Sequence, residues 1–142
     1  MEIRDVTMDD LNSIIAIDTE ISGTGKPGYW RELIGAYIQN KENRFLLVAV
    51  EKNEVIGFII GEIRAWEFGS APCGWVFTIG VRSDTRLTGV GSRLLERLCG
   101  FFREAGVHKV RTMTARQEHE LMSFFRSQGM MAGPYLQLEK EI

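Results

Sequence analysis

Apolar residues along the chain give a short strand, then two stretches of helical spacing, and then strand-like runs. Residues 2–6 read as a short strand. Thr7-Met8-Asp9-Asp10 then has the look of a helix entry, with a capping threonine and acids in the first turn. Leu11, Ile14 and Ile15 continue it at helical spacing, and Ser22-Gly23-Thr24-Gly25-Lys26 breaks it. Pro27 suits the first position of a second helix, whose apolar face is Trp30, Leu33, Ile34 and Tyr37. Phe45 to Val50 is a continuous apolar run of strand length. Lys52-Asn53-Glu54 is a polar turn and Val55 to Trp66 a second strand, so the pair reads as an antiparallel hairpin. After a Gly/Ser/Pro loop, Trp75 to Val81 is a further strand. Gly89 begins a long helix with Val90, Leu94, Leu95, Leu98, Phe101, Phe102 and Ala105 on its apolar face, and Gly106 sits where a helix ends. Lys109 to Thr114 reads as a strand. Leu121, Phe124 and Phe125 mark a last helix stopped at Gly129, and Tyr135 to Glu139 a last strand. The expected order is β-α-α-β-β-β-α-β-α-β: one α/β domain over residues 1–142, with a mixed sheet covered by helices.

Composition narrows the function classes. With 142 residues, 44% apolar and 25% charged, the chain can bury a core without disulfides or metal. Seventeen basic against nineteen acidic residues leave no basic footprint for nucleic acid. No apolar run approaches the ~18 residues of a membrane helix. Met1-Glu2-Ile3-Arg4-Asp5 lacks the zones of a signal peptide, so a cytoplasmic protein is expected. Cys73 and Cys99, with His108 and His119, match no zinc or redox spacing, and no metal is expected.

The stretch that carries chemistry runs from Thr78 to Leu95. A strand enters a polar turn, and Gly89 and Gly91 stand at the mouth of the strongly apolar helix. A helix N-terminus has unpaired amides and about half a positive charge. Stripping side chains from it lets a phosphate reach the backbone, and Arg86 adds a cation just upstream. The physical reading is a pyrophosphate cradle; the plainer one is a tightly packed helix start. Two other phosphate motifs fail on spelling. The dinucleotide fingerprint needs a small residue where Leu94 stands. The nucleotide P-loop fails because Gly25-Lys26 has Glu20 upstream and Pro27 after it.

Arg86-Leu87-Thr88-Gly89-Val90-Gly91, preceded by Ile79-Gly80-Val81, resembles the signature of the GNAT superfamily of acyl-CoA-dependent N-acyltransferases. Ser83 replaces that family's frequent proline. Phe124-Phe125-Arg126-Ser127-Gln128-Gly129-Met130 is similar to its closing motif, and the element order agrees over nearly the whole chain. The resemblance implies acetyl-CoA as co-substrate, transfer of its acetyl group to a primary amine of a small molecule or protein, and the possibility of a homodimer. It implies that backbone amides of Leu87, Thr88, Gly89, Val90, Gly91 and Ser92 hold the pyrophosphate of coenzyme A. The main chains of Ile79, Gly80 and Val81 would pair with the pantetheine arm like an added strand. On this reading Gly91→Glu should abolish coenzyme binding and leave the fold largely intact.

The same comparison shows where the pattern breaks. The tyrosine that protonates the leaving thiolate in many relatives aligns with Phe125. The strand glutamates that serve as base align with Trp75 and Met113, and an asparagine at the start of the last helix with Glu118. Catalytic residues are therefore not assigned; Glu62, Glu67, Glu118, His119 and Tyr135 are the stand-ins. Either acyl transfer proceeds mostly by proximity, or the chain is a non-catalytic acyl-CoA-binding regulatory module. Acceptor recognition is expected from Asp18, Glu20, Tyr29, Trp30, Trp66 and Phe68, acids beside aromatics that suit a cationic amine.

Overall fold

The computed structural model describes residues 1–142, the side chains of Arg86 and Leu87 excepted. Five strands form one sheet in chain order: β1 (Glu2–Asp5), β2 (Arg44–Glu51), β3 (Glu54–Arg64), β4 (Cys73–Val81) and β5 (Val110–Thr112). The first four are antiparallel, and β4 pairs β5 in parallel. Four α-helices accompany them: α1 (Leu11–Ser22), α2 (Pro27–Gln39), α3 (Val90–Glu104) and α4 (His119–Ser127). Among the described residues no helix is long and apolar enough to cross a membrane.

The sheet separates two cores. On one side α1 and α2 bury Ile14, Ile17, Trp30, Ile34 and Tyr37 against Leu46, Val48, Phe58 and Ile60. On the other, Leu94, Leu95, Leu98 and Phe102 of α3 and Phe125 of α4 cover Leu47, Ala49, Ile59 and Val76. Close approach of α3 is written into the strands. A Cβ on Gly74 would lie 2.3 Å from the Phe102 ring, and one on Gly61 2.7 Å from Leu98. The alternating β3 pattern thus becomes Gly-x-x-x-Gly on the α3 side, and the helix lies in the trough.

Local chemistry explains the element ends. Lys52 and Asn53 both take positive φ (52° and 63°) between the paired Glu51 and Glu54. These are the two left-handed positions of a tight hairpin turn, whose twist matches that of its strands. The entry to α1 is held by Asp10 more than by Thr7. The Asp10 carboxylate accepts the Thr7 amide at 2.8 Å and two Arg4 N–H groups at 2.8 and 3.0 Å. Burial opposes charge on Asp10, but Arg4 and the Thr7 amide outweigh it and hold the carboxyl below its usual 3.8.

The expected strand over Tyr135–Glu139 does not form: residues 130–142 carry neither helix nor strand. The alternation is present, but a strand is stabilised by its neighbour, and β5 is three residues long. Leu136 and Leu138 are 76% and 84% exposed, so their pattern meets no apolar surface. The Tyr135 ring instead lies under the Arg111 guanidinium, 4.7 Å away.

The Asp10 junction makes a testable claim about acid stability. A carboxyl whose folded pKa is depressed contributes stability that is full above its unfolded value and lost as pH falls through the folded one. Asp10→Asn should cost about 1.5–3 kcal/mol at pH 7. In urea melts the gap to the unmodified protein should narrow below pH 4; a pH-independent gap would mean that charge at Asp10 does not matter.

Candidate functional site

The site is built where β4 loses one of its two neighbours. On one edge β4 is registered against β3 from Cys73 to Val81. On the other, β5 reaches only Gly74–Val76. The next residue, Phe77, is skipped in the β3–β4 register, since Gly61 faces Val76 and Ile60 faces Thr78. Such a bulge bends the strand and increases its twist, and Phe77 is left 46% exposed. From Phe77 to Val81 the strand has no registered partner in β5.

The connection from β4 to α3 is a fixed loop. The Arg82 guanidinium donates to Asp84 and to Glu54, each at 2.8 Å, and these partners raise its pKa. The Ser83 amide donates to the Glu20 carboxylate from the end of α1 at 3.0 Å. A 3-10 helix over Ser83–Thr88 leads to Gly89, whose φ of +82° is left-handed. An L side chain is strained there, which accounts for glycine. Around Gly89 nothing lies within 4 Å of where a Cβ would stand.

The start of α3 then presents bare backbone. No side chain caps it and no acid lies in its first turn. At this helix start the Arg93 amide donates to the Gly89 carbonyl at 3.1 Å. An uncapped helix N-terminus without a carboxylate keeps its positive end for an external anion. The helix end formed by Gly89, Val90, Gly91 and Ser92 suits an anion in its chemistry, with Gly89 exposed and Val90 and Gly91 buried. The expected contributions of Arg86 and Leu87 lie outside the described residues.

The two neighbouring glycines serve packing as well. A Cβ on Gly91 would stand 3.1 and 3.3 Å from the Phe124 ring, so glycine lets α4 lie against the mouth of α3. A Cβ on Gly80 would come within 2.6 Å of the Phe58 ring and 3.3 Å of Ile17. Gly80 is thus small for the sake of the α1 side of the sheet. The expectation that Gly91→Glu leaves the fold largely intact is corrected here, because the new side chain meets Phe124.

The residues expected to handle protons or acceptor are scattered. Phe125 is 4% exposed and belongs to the core under α3. Met113 is 71% exposed just beyond β5. Glu118 and His119 stand exposed at the start of α4. Buried Asp18 accepts the Trp30 indole N–H at 2.9 Å and pairs with Lys26 at 3.1 Å, which makes all three structural. Tyr29 packs edge-on against Trp30. Trp66 and Phe68, in contrast, flank Glu67 on the β3–β4 loop and are 70% and 78% exposed. Both hold left-handed backbone, at φ 70° and 56°. Aromatic residues rarely sit there without a reason. Glu67 accepts from Arg64 at 2.9 Å. Among the described residues no group of three or more His, Cys, Asp or Glu side chains is placed to hold a metal ion.

One contact escaped the sequence reading. The Tyr37 hydroxyl of α2 donates to Glu62 on β3 at 2.5 Å. Burial and the Glu62 hydrogen bond push the Tyr37 pKa up. Tyr37 reads in sequence as an apolar-face residue, and only the fold brings it to a carboxylate twenty-five positions away.

Comparison with known proteins gives the family and the fold. Residues 11–130 match the model of the acetyltransferase (GNAT) family. An aminoglycoside 6'-N-acetyltransferase from Acinetobacter haemolyticus is similar in structure at 16% identity and a TM-score of 0.84, covering 100% of this chain and 99% of that one. A transcriptional regulator from Bacillus halodurans superposes at 20% identity, TM-score 0.83, over 99% of each chain. An aminoglycoside N-acetyltransferase solved in complex with CoA gives 15% identity, TM-score 0.86, over 99% of this chain and 93% of that one. No curated protein matches the sequence.

The cradle is tested by placing charge without touching the core. Thr88 is exposed and precedes the helix mouth. Thr88→Glu should weaken acetyl-CoA binding at least tenfold in calorimetry, while the melting temperature stays near that of the parent. Gly91→Ala should instead lower stability by about 1 kcal/mol or more through the Phe124 contact. Unchanged acetyl-CoA affinity in Thr88→Glu would remove the anion from this helix end.

Proposed function

Because the chain belongs to the GNAT acetyltransferase family, we propose that it transfers an acetyl group from acetyl-CoA to a primary amine of a small cationic acceptor. The observation that carries this reading is the bare, acid-free N-terminus of α3 behind left-handed Gly89, set at the end of β4 that β5 leaves uncovered. Gly89 to Ser92 would hold the pyrophosphate. Ile79, Gly80 and Val81 would run beside the pantetheine arm, and bound acetyl-CoA supplies the activated acyl group. The protein then lowers the barrier chiefly by holding amine and thioester together, which can supply about 7–11 kcal/mol.

The acceptor class follows from what surrounds the bulge. Glu67 lies between the exposed rings of Trp66 and Phe68 in sequence, Glu62 lies across from Trp75 two residues from the exposed Phe77, and acids with aromatics of this kind favour an ammonium group. Neighbours named as aminoglycoside acetyltransferases support a small-molecule amine. A second reading, a non-catalytic acyl-CoA-binding regulatory module, is favoured by the apolar residues at the usual proton-handling positions, Phe125, Trp75 and Met113.

Thermal melts with coenzyme A and acetyl-CoA test the binding step. Stabilisation should reach about 2.7 kcal/mol at a hundredfold excess over Kd. Thiol release with spermidine, an aminoglycoside and a lysine peptide separates the two readings. Turnover with the first two but not the peptide supports the proposal. Stabilisation without turnover on any amine favours the binding module, and no stabilisation overturns both.

A further inference from the structure

The usual base position of the family aligns with Trp75, which carries no carboxylate. The residue directly across the sheet from Trp75 is Glu62. Directly opposed residues on paired strands project from the same face with Cβ atoms about 4.5–5.5 Å apart. A carboxylate absent from β4 is therefore present one strand away, at the same level of the sheet. That level is two residues from the Phe77 bulge, about 7 Å along a strand at ordinary rise. It is also the end towards which a pantetheine arm beside Ile79–Val81 would point its thioester.

We propose that Glu62, oriented by Tyr37, is the group that takes the proton from the acceptor amine. This assignment rests on the acetyl-transfer reading above. Glu62 Oε2 is occupied by the Tyr37 hydroxyl, which fixes the carboxylate plane. Oε1 stands 4.0 Å from the Arg64 guanidinium, too far for a hydrogen bond, and the side chain keeps 19% of its surface exposed. One oxygen is anchored and the other is left for an N–H or for one intervening water, within the reach general-base catalysis requires. Tyr37 is a positioning residue; it touches Glu62 and not the acceptor.

The charged surroundings of Glu62 come from every adjoining element. Arg44 of β2 is its partner on the other edge and lies 5.6 Å from the Tyr37 ring. Arg64 is on its own strand, and Glu67 follows in the loop. Arg111 of β5 is registered against Trp75, at the far end of the same row. Arg64 lies between two carboxylates, hydrogen-bonded to Glu67 at 2.9 Å and in a looser ion pair with Glu62 at 4.0 Å, so Glu62 is the one less committed to it. Only Glu62 is held at the level of the bulge.

The step balances as follows. The ammonium of the acceptor gives one proton to Glu62, and the neutral nitrogen attacks the thioester carbonyl carbon. A C–N bond forms and the C–S bond breaks, so that sulfur leaves with the bonding electron pair. The second nitrogen proton passes through water to the thiolate, and Glu62 returns its proton to solvent. The products are the amide, the free thiol and one proton.

Two variants test the assignment, with spermidine and an aminoglycoside as acceptors. Glu62→Gln keeps an acceptor for the Tyr37 hydroxyl and so preserves the fold. It should reduce kcat/KM by ~10²-fold or more at neutral pH and abolish the acid limb of the pH profile. The melting shift produced by acetyl-CoA should stay as in the parent. Tyr37→Phe should retain the limb and lower kcat with KM little changed, since the carboxylate stays but loses the contact that orients it. A Glu62→Gln protein with kcat/KM within threefold of the parent and an intact acid limb would reduce the pair to a staple between α2 and β3, overturning the assignment alone. A parent protein that neither gains stability from acetyl-CoA nor releases thiol would overturn the acetyl-transfer reading, and this one with it.

Discussion

The site depends on the unequal edges of one strand. β4 is registered against β3 along its whole length but against β5 for three residues only. Had β5 continued in register, the backbone of Phe77–Val81 would be committed to a sheet interior. The bulge at Phe77 and the brevity of β5 prevent this together, one by bending β4 and the other by ending early. The helix that follows then begins at the mouth of the opening. Its N-terminus carries no side-chain cap and no acid in the first turn, so the positive end of its dipole is not neutralised by its own side chains. Neither feature alone would make the site proposed here for an elongated, anionic acyl carrier.

Packing holds this arrangement in place from both sides. On one face α3 sits deep against the sheet because Gly61 and Gly74 leave room for Leu98 and Phe102. On the other, Phe58 reaches across to Gly80 and meets Trp30 edge-on at 5.2 Å. Trp30 in turn is tied to Asp18 of α1, and Glu20 of α1 accepts the Ser83 amide. The loop before α3 is thus braced by the helix that caps the opposite core. Asp18 and Glu20, the acids of α1, thus both hold structure.

Element type and order were legible because the apolar period is clear wherever a face is buried. The Gly89 turn was legible because a left-handed residue before an apolar helix leaves few alternatives to glycine. The failures share a cause. The Tyr135–Glu139 alternation is a correct local signal for a strand, but pairing is not a local property, and the three-residue β5 offers no continuation. Gly80 and Gly91 are small for reasons residing in Phe58 and Phe124, which are distant in sequence and invisible to a motif. The Tyr37–Glu62 contact joins residues whose sequence roles look unrelated until α2 lies across β3.

Binding and proton handling make different demands on sequence, and this chain shows the difference. A pyrophosphate cradle made of backbone needs an uncapped helix start, a left-handed glycine and an open strand edge. Those requirements fall on the backbone and so tolerate wide change in side chains. Proton transfer needs one particular functional group within hydrogen-bond distance of the reacting atom, but it does not care which strand supplies it. In a sheet, the residue directly across from a given position lies on the same face and within about 5 Å, nearer than the residue two places along the same strand at almost 7 Å. A carboxylate can therefore pass from β4 to β3 with less displacement than a shift along β4 would cause. An alignment by sequence position records that as a loss, whereas the sheet register records it as a single cross-strand step.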